Sequence, residues 1–313
     1  MFDTLIGQSP SFEALTRSAK LVAATDVTVL IVGETGTGKE VLANALQMHS
    51  PRADKSFVTL NCAALPEAIA ESELFGHRRG SFTGAVSNQT GRLPAADGGT
   101  LFLDEVDSLS LPLQAKLLRF LETGEIQPVG ETQTYNVDVR IVAATNANLH
   151  ARIERGEFRK DLYYRLNVVP LEIPPLRDRM GDIVLLLQHY MERFAREHGL
   201  APATFSKAAL NRLCNYGWPG NVRELRNVCE RLSILLAGRV IEESNLPLEI
   251  TYRASTTKGL FALPDMGIEL EQVEMDLIRQ ALNRTNGNRS RSARLLGISR
   301  DTLLYRMQKY GIN

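Results

Sequence analysis

Cysteine is scarce in this 313-residue chain: Cys62, Cys214 and Cys229 are the only three. The number is odd and no C-x-x-C pair occurs, which argues against a disulfide framework and against a zinc site. Reduced, buried thiols of a cytoplasmic protein are the expectation. Long apolar runs are lacking as well. The longest, VTVLIV at 27–32, falls far short of the roughly 20 residues that a membrane-spanning helix needs, and the opening MFDTLIGQSP has no charged region followed by an apolar core, so it does not read as a signal peptide. Net charge is absent too, with 36 basic residues against 36 acidic, so no whole-molecule field announces a partner. No internal repeat is visible.

What is present is enough apolar residue, 44%, for two or three domains with real cores. Apolar β-branched runs alternate with helical patterns: VTVLIV, SFVTLNC, GGTLFLDEV, DVRIVAATN and NVVPLEI, with helical sequence at 39–47, in LPLQAKLLRFLETG and in LHARIERGEF. Strands that alternate with helices and lack polar alternation predict an α/β fold with a parallel sheet buried on both faces. At Pro174 and Pro175 the character changes. Strands stop and helices are expected at about 182–198, 206–215 and 221–236, the first of them on an Asp182 cap. The segment TYRASTTKGLFALPD has little periodicity and reads as a linker. The predicted units are therefore an α/β subdomain at 1–173, a helical lid at 174–250, a linker at 251–266 and a small all-helical unit at 267–313.

The sharpest motif is GETGTGKE at 33–40, set between a buried strand and a helix. Gly33, Glu34, Thr35, Gly36, Thr37 and Gly38 form a phosphate-binding loop whose backbone N–H groups, with the helix N-terminus, point at phosphates, while Lys39 supplies a point charge. Where Ser or Thr usually follows the lysine to ligate magnesium, this chain has Glu40. Magnesium then relies on Asp104, water and the phosphates of ATP. Asp104 and Glu105 close the apolar run TLFLDE at the carboxyl end of a strand, where ligands of open α/β sheets bind. Asp104 suits the ion, and Glu105 suits a base that polarises the attacking water. Asn146 ends the next strand, where a γ-phosphate or water can be sensed. Phosphoryl transfer needs further cations. Arg159 and Arg165 in GEFRKDLYYRL are read as fingers that reach a neighbouring subunit's site, which makes hydrolysis require a ring. Arg223 in WPGNVREL is read as reporting nucleotide state to the lid.

Together GETGTGKE, ELFGHRRGSFTGA, GGTLFLDE, FRKDLYYRL and WPGNVREL resemble the AAA+ domain of bacterial enhancer-binding proteins, the activators of sigma-54 RNA polymerase, over nearly the whole chain. Glu40, unusual for phosphate loops in general, matches this family. The resemblance implies that Asn61 pairs with Glu105 as a switch, that Asn146 and Arg223 are first and second sensors, and that Gly80, Ser81, Phe82, Thr83, Gly84 and Ala85 form the loop that touches sigma-54. Ser81 stands where that loop usually has Ala. Gly80 and Gly84 allow the loop to rise without steric cost, and Phe82 is expected to face solvent as a compact apolar anchor. The implied assembly is a homo-oligomer, from dimer to hexameric ring.

From Arg284 onward there are seven basic residues and one acidic, a local excess that suits a polyanion. NRSRSARLLGISRDTLLYRMQKYGI has the form of a helix-turn-helix, with Ala293, Leu295, Leu296, Ile298, Leu303 and Leu304 as packing positions, Gly297 at the turn and Ser299 capping the second helix. Arg300, Asp301, Thr302 and Tyr305 are expected to face the major groove, and Arg289, Arg291 and Arg306 to meet phosphates. This tail resembles the Fis-type reader of the same family. The helix at 269–284 is then the dimer contact, and paired readers imply palindromic enhancer sites. Two other readings are open: a regulator that uses ATP only for assembly, and an AAA+ remodeller of another class. The retained GSFTGA loop and Glu105 disfavour the first, and the DNA reader disfavours the second. Family members often carry a receiver or sensory domain upstream, so control is expected either from a regulatory protein acting in trans or from such a segment.

Overall fold

The structure is a computed structural model that describes residues 4–82, 84–251, 267, 269–285 and 287–312. Contacts divide the chain into two compact units, Met1–Tyr252 and Arg253–Asn313.

The first unit is built on a five-stranded, wholly parallel sheet. Its strands are β1 (Val29–Val32), β2 (Phe57–Asn61), β3 (Thr100–Asp104), β4 (Arg140–Thr145) and β5 (Val169–Glu172), in spatial order β2-β3-β4-β1-β5. All five expected strands are found. Their continuous apolar character follows from burial on both faces. In β1, Leu30 packs with Leu101, Leu103, Ile141 and Ala143 in one core, while Val29 and Ile31 pack with Phe102, Val142 and Ala144 in the other. Alternate residues of a strand point to opposite faces, and here both faces are covered. Helices α1 (Pro10–Ala23) and α2 (Lys39–Met48) cover the second. Helices α3 (Glu67–Phe75), α4 (Leu111–Thr123), α5 (Leu149–Glu154) and α6 (Lys160–Leu166) cover the first.

Past β5 the chain turns helical, as α7 (Gly181–His198), α8 (Lys207–Cys214) and α9 (Asn221–Leu235), around a core that includes Leu187, Phe194, Trp218 and Leu225. Strands do not stop altogether: Thr204–Phe205 pairs in parallel with Val240–Ile241, a pairing too short to leave a sequence pattern. Nor does Asp182 cap its own helix. Helix α7 begins at Gly181 with no side-chain cap, and the buried Asp182 carboxylate accepts the N–H groups of Gln8 (2.7 Å) and Ser9 (2.9 Å) and the Ser9 hydroxyl (2.8 Å). A long-range partner with three donors outcompetes the local cap. Cys62 and Cys229 are buried, Cys214 is half-buried, and all three are free. Burial pushes the Cys62 and Cys229 thiols up to about 12.

The expected linker lies outside the described residues, apart from Thr251, which ends a short helix Leu248–Thr251. The second unit holds α10 (Leu270–Arg284), α11 (Arg289–Leu295) and α12 (Arg300–Lys309) around Ile278, Ala293, Leu303 and Met307. Leu295, expected inside, is 60% exposed, because it falls to one side of the inward stripe formed by 292, 293 and 296. Leu304 is half-buried. Among the described residues no helix is long and apolar enough to cross a membrane.

Candidate nucleotide site and adjoining loops

Strand β1 ends one residue before Gly33, whose N–H donates to the Thr145 carbonyl at 3.2 Å. The following loop folds tightly on itself, with the Thr37 hydroxyl donating to the Glu34 carbonyl at 2.8 Å. Gly36 and Gly38 adopt φ of +80° and +105°, the left-handed region that favours glycine. Gly38 precedes α2, whose first amides have no intrahelical acceptor, as at any helix start. Beside them the Lys39 ammonium donates to the carbonyls of Gly33 (2.9 Å) and Glu34 (3.3 Å). Burial lowers its pKa, while Asp104 and Glu105 oppose that shift. A half-buried cation whose bonds go to carbonyls is suited to an incoming anion.

Asp104 closes β3 and lies opposite Asn61 of β2 in the sheet register. Its Oδ1 accepts the Glu105 N–H at 3.0 Å. Glu105 itself has φ +53°, a conformation that a non-glycine residue holds only where its surroundings enforce it, and such positions cluster at functional sites. Asn146, at the end of β4, donates from Nδ2 to the Thr35 hydroxyl at 2.8 Å. The sheet thus brings Lys39, Asp104, Glu105, Asn61 and Asn146 to one edge. A cleft of about 640 Å³ lined by Gly33, Glu34, Asn146, Asn148 and Arg177 borders the loop, and Lys39, Asp104, Glu105 and Asn61 do not line it.

Other predicted residues are placed differently. Asn61 makes no hydrogen bond to Glu105 among the described residues; its Oδ1 accepts the Ala63 (2.9 Å) and Ala64 (3.0 Å) amides, which it can reach without strain. Arg159 forms a two-bond ion pair with Asp161, at 3.0 and 2.6 Å. Arg165 donates twice to the Leu121 carbonyl, at 3.0 and 2.7 Å. Neither arginine bonds to the phosphate loop among the described residues. Arg223 is exposed near the start of α9, and its N–H donates to the Gly36 carbonyl at 3.2 Å. Glu40 is exposed in the first turn of α2.

Several contributors left no sequence signal. Buried Asp107 accepts the Thr145 hydroxyl at 2.6 Å and pairs with Arg152 at 3.1 Å. Buried Arg179 lies over the Phe12 ring, 4.5 Å from its centroid, and donates to the Thr37 carbonyl at 3.3 Å. An apolar pocket lined by Leu5, Ile6, Val41, Ile173, Leu186 and Tyr190 adjoins Thr37 and Gly38. It draws on residues from Thr4 to Val222, so no local pattern could have disclosed it.

The 80–85 loop does not stand free. Gly80 N–H donates to the Ala85 carbonyl at 2.8 Å, and Ala85 is buried. Gly80 and Gly84 have φ of +81° and +108°. Phe82, expected in solvent, is half-buried, its ring edge-on to His77 at 5.0 Å. The His77 ring is fixed from behind by the Ser72 hydroxyl at 2.6 Å. Ser81 packs against Gly130, and its hydroxyl is buried without a partner among the described residues. Thr83 lies outside the described residues.

In the second unit the Ser299 hydroxyl accepts the Thr302 N–H at 3.1 Å and caps α12. Arg300, Asp301 and Tyr305 are exposed, Thr302 is half-buried, and Arg289 and Arg291 are exposed. Arg306, expected on phosphate, instead pairs with Glu274 of α10, which also accepts the Tyr310 hydroxyl at 2.7 Å. An acidic partner one helix away captures that guanidinium inside the unit.

A phosphate loop on a parallel sheet with an Asp-Glu strand end, followed by a helical lid, defines an AAA+ ATPase. The family model "Sigma-54 interaction domain" matches residues 5–172, "AAA+ ATPase lid domain" residues 177–261, and "Bacterial regulatory protein, Fis family" residues 269–310. The chain belongs to the sigma-54-dependent transcriptional activators. It is 48% identical over 305 residues to the transcriptional regulatory protein ZraR of Escherichia coli (strain K12), covering 97% of this chain and 68% of ZraR. It is 47% identical over 311 residues to the nitrogen fixation protein AnfA of Azotobacter vinelandii, covering 99% of this chain and 58% of AnfA. Crystal structures of NtrX from Brucella abortus, in complex with ADP and with ATP, match at a TM-score of 0.73 and 35% identity, over 98% of this chain and 69% of NtrX.

Proposed function

We propose that this chain binds enhancer DNA through its Fis-type unit and uses ATP hydrolysis to remodel sigma-54 RNA polymerase holoenzyme, driving open-complex formation in the cytoplasm. The observation that carries the reading is the convergence of Lys39, Asp104, Glu105 and Asn146 on one edge of the parallel sheet, next to the two positive-φ glycines of the phosphate loop. In this reading the 33–38 loop and Lys39 hold the phosphates of ATP. Glu105 takes up the proton of the attacking water, and Asn146 senses the γ-phosphate through its link to Thr35. Among the described residues no three His, Cys, Asp or Glu side chains gather as a ligand set. A single carboxylate at the end of β3, Asp104, would with phosphate oxygens and waters suffice for Mg2+, which keeps several waters. Bound there, the ion neutralises developing charge on the transferring phosphoryl group.

Arg159 and Arg165 are exposed on one face of the α/β core and now rest on local partners. In a ring of copies of the same chain, exchange of those contacts for a neighbour's phosphates gives the trans cations that hydrolysis needs. Loss of the γ-phosphate resets Asn61 and Glu105 and moves the 80–85 loop, whose Phe82 leaves His77 for the sigma factor. Boundaries at 173, 250 and 266 divide engine, lid, linker and reader. In the reader, Arg300, Asp301, Thr302 and Tyr305 face bases of a palindromic site, and Arg289 and Arg291 face phosphates.

Transcription in vitro with sigma-54 holoenzyme, with hydrolysable or non-hydrolysable ATP, tests the reading. Phe82→Ala should keep ATPase activity and lose open-complex formation. Normal transcription by that variant, or transcription without hydrolysis, refutes it.

A further inference from the structure

The turn that precedes α9 contains two non-glycine residues in left-handed backbone, Trp218 at φ +46° and Asn221 at φ +51°. Asparagine tolerates that region and tryptophan does not, so the surroundings impose the turn. It closes on itself through the Asn221 N–H, which donates to the Trp218 carbonyl at 2.8 Å. The Asn221 side chain is fully buried and bridges two other segments. Its Oδ1 accepts the Leu176 N–H at 2.8 Å, in the helical turn Leu176–Asp178 between β5 and α7. Its Nδ2 donates to the Glu34 carboxylate and to the Thr35 carbonyl, both at 3.1 Å. Glu34 in turn receives two bonds from Arg177, at 2.8 and 2.6 Å. One residue further along the loop, Gly36 lies so close to the same turn that an added Cβ would sit 2.3 Å from the Gly220 carbonyl.

We propose that Asn221 is a positioning residue that makes the phosphate loop and the start of α9 move as one piece, so that nucleotide in the loop is reported to the helical lid through this buried amide. The inference rests on the reading that loop 33–38 holds phosphates. The position demands three properties at once: tolerance of positive φ, an acceptor toward Leu176 and a donor toward Glu34 and Thr35. Glycine supplies only the first. Aspartate keeps the acceptor but sets a second carboxylate against Glu34. The Arg223 backbone bond to Gly36 adds to the connection, but an exposed side chain such as Arg223 is not needed for it.

Trp218 is the only tryptophan of the chain. Its buried indole donates to the Leu213 carbonyl at 3.0 Å and meets the Tyr216 ring edge-on, so its emission reports on the turn. Saturating ADP should change Trp218 emission in the wild-type chain. Asn221→Gly relaxes the backbone while removing all three amide bonds, and should lose most of that change with ADP still bound at saturation, as followed by equilibrium dialysis. Asn221→Asp should lose it as well, and Asn221→Asp with Glu34→Gln, which restores a donor opposite the carboxylate, should regain part of it. Arg177→Met and Glu34→Gln alter half-exposed side chains, with 46% and 43% accessible, and each should reduce the change. These two variants decide the matter if the Asn221 variants do not fold. A wild-type emission change in Asn221→Gly, or undiminished changes in both surface variants, overturns the proposal, as does a wild-type chain that binds ADP with no emission change. Absence of ADP binding by the wild type removes the phosphate-loop reading as well, and dialysis separates that failure from the others.

Discussion

Glu105 shows at the scale of one residue how chemistry is written into strain. Its backbone sits at φ +53° while its N–H is held by the Asp104 carboxylate. If Glu105 is the base that polarises the attacking water, its loss should slow hydrolysis and spare binding. Glu105→Gln should bind ATP and hydrolyse it on the order of 10² to 10⁴ times more slowly, the usual contribution of a positioned base. Single-turnover hydrolysis beside a binding isotherm checks this. Glu34 makes a second test. Bonds from Arg177 and then Asn221 hold its carboxyl down at about 2, against 4.5 for a free glutamate. A depressed carboxyl contributes stability above its unfolded pKa and loses it as pH falls toward the folded value. The Arg177–Glu34 contribution should therefore be complete above pH 4.5 and decline between 4.5 and about 2. In urea titrations, the gap between wild type and Arg177→Met should be larger at pH 7 than at pH 3. Since both side chains are half-exposed, added salt should narrow it.

Among the elements, α12 starts on a single capping side chain. Its cap is Ser299, with a bond to the Thr302 amide and a second to the Thr302 hydroxyl at 2.7 Å. Ser299→Ala should cost about 1 kcal/mol of stability in the second unit. Because Arg300, Asp301 and Tyr305 ride on that first turn and a half, DNA affinity should fall with it; thermal unfolding and a binding titration at fixed salt measure the two effects. Exposed Arg289 and Arg291 precede the cap on α11, whereas Arg306 is taken by Glu274. Arg289→Ala and Arg291→Ala should therefore each lower the salt dependence of DNA binding, whereas Arg306→Ala should change it little.

For the molecule as a whole, the arrangement of cations bears on assembly. Arg159 and Arg165 rest on Asp161 and Leu121, and among the described residues neither bonds to the phosphate loop of its own chain. If they serve a neighbour's site, Lys39→Ala protomers, which lack the phosphate clamp, and Arg165→Ala protomers, which lack the finger, should each be inactive alone. Mixed together they should recover a fraction of wild-type hydrolysis that rises with protein concentration. No recovery at any mixing ratio would mean that the arginines act within one chain or not at all.

The order of strands and helices, the phosphate loop, the Asp104–Glu105 strand end, the Ser299 cap and the basic tail were all legible in the linear sequence. Each rests on near neighbours in the chain: periodic burial, a glycine where φ must be positive, or a cap three residues from its target. Folding in three dimensions settled the rest, because those contacts join residues far apart in sequence and leave no local pattern. Asp182 bonds to Gln8 and Ser9 rather than to its own helix, Arg306 turns to Glu274, and Phe82 lies against His77. Above all, Asn221 meets Glu34 across 187 positions. A polar side chain takes the partner that burial brings to it, and which partner arrives is decided only when the cores around the sheet and the lid have closed.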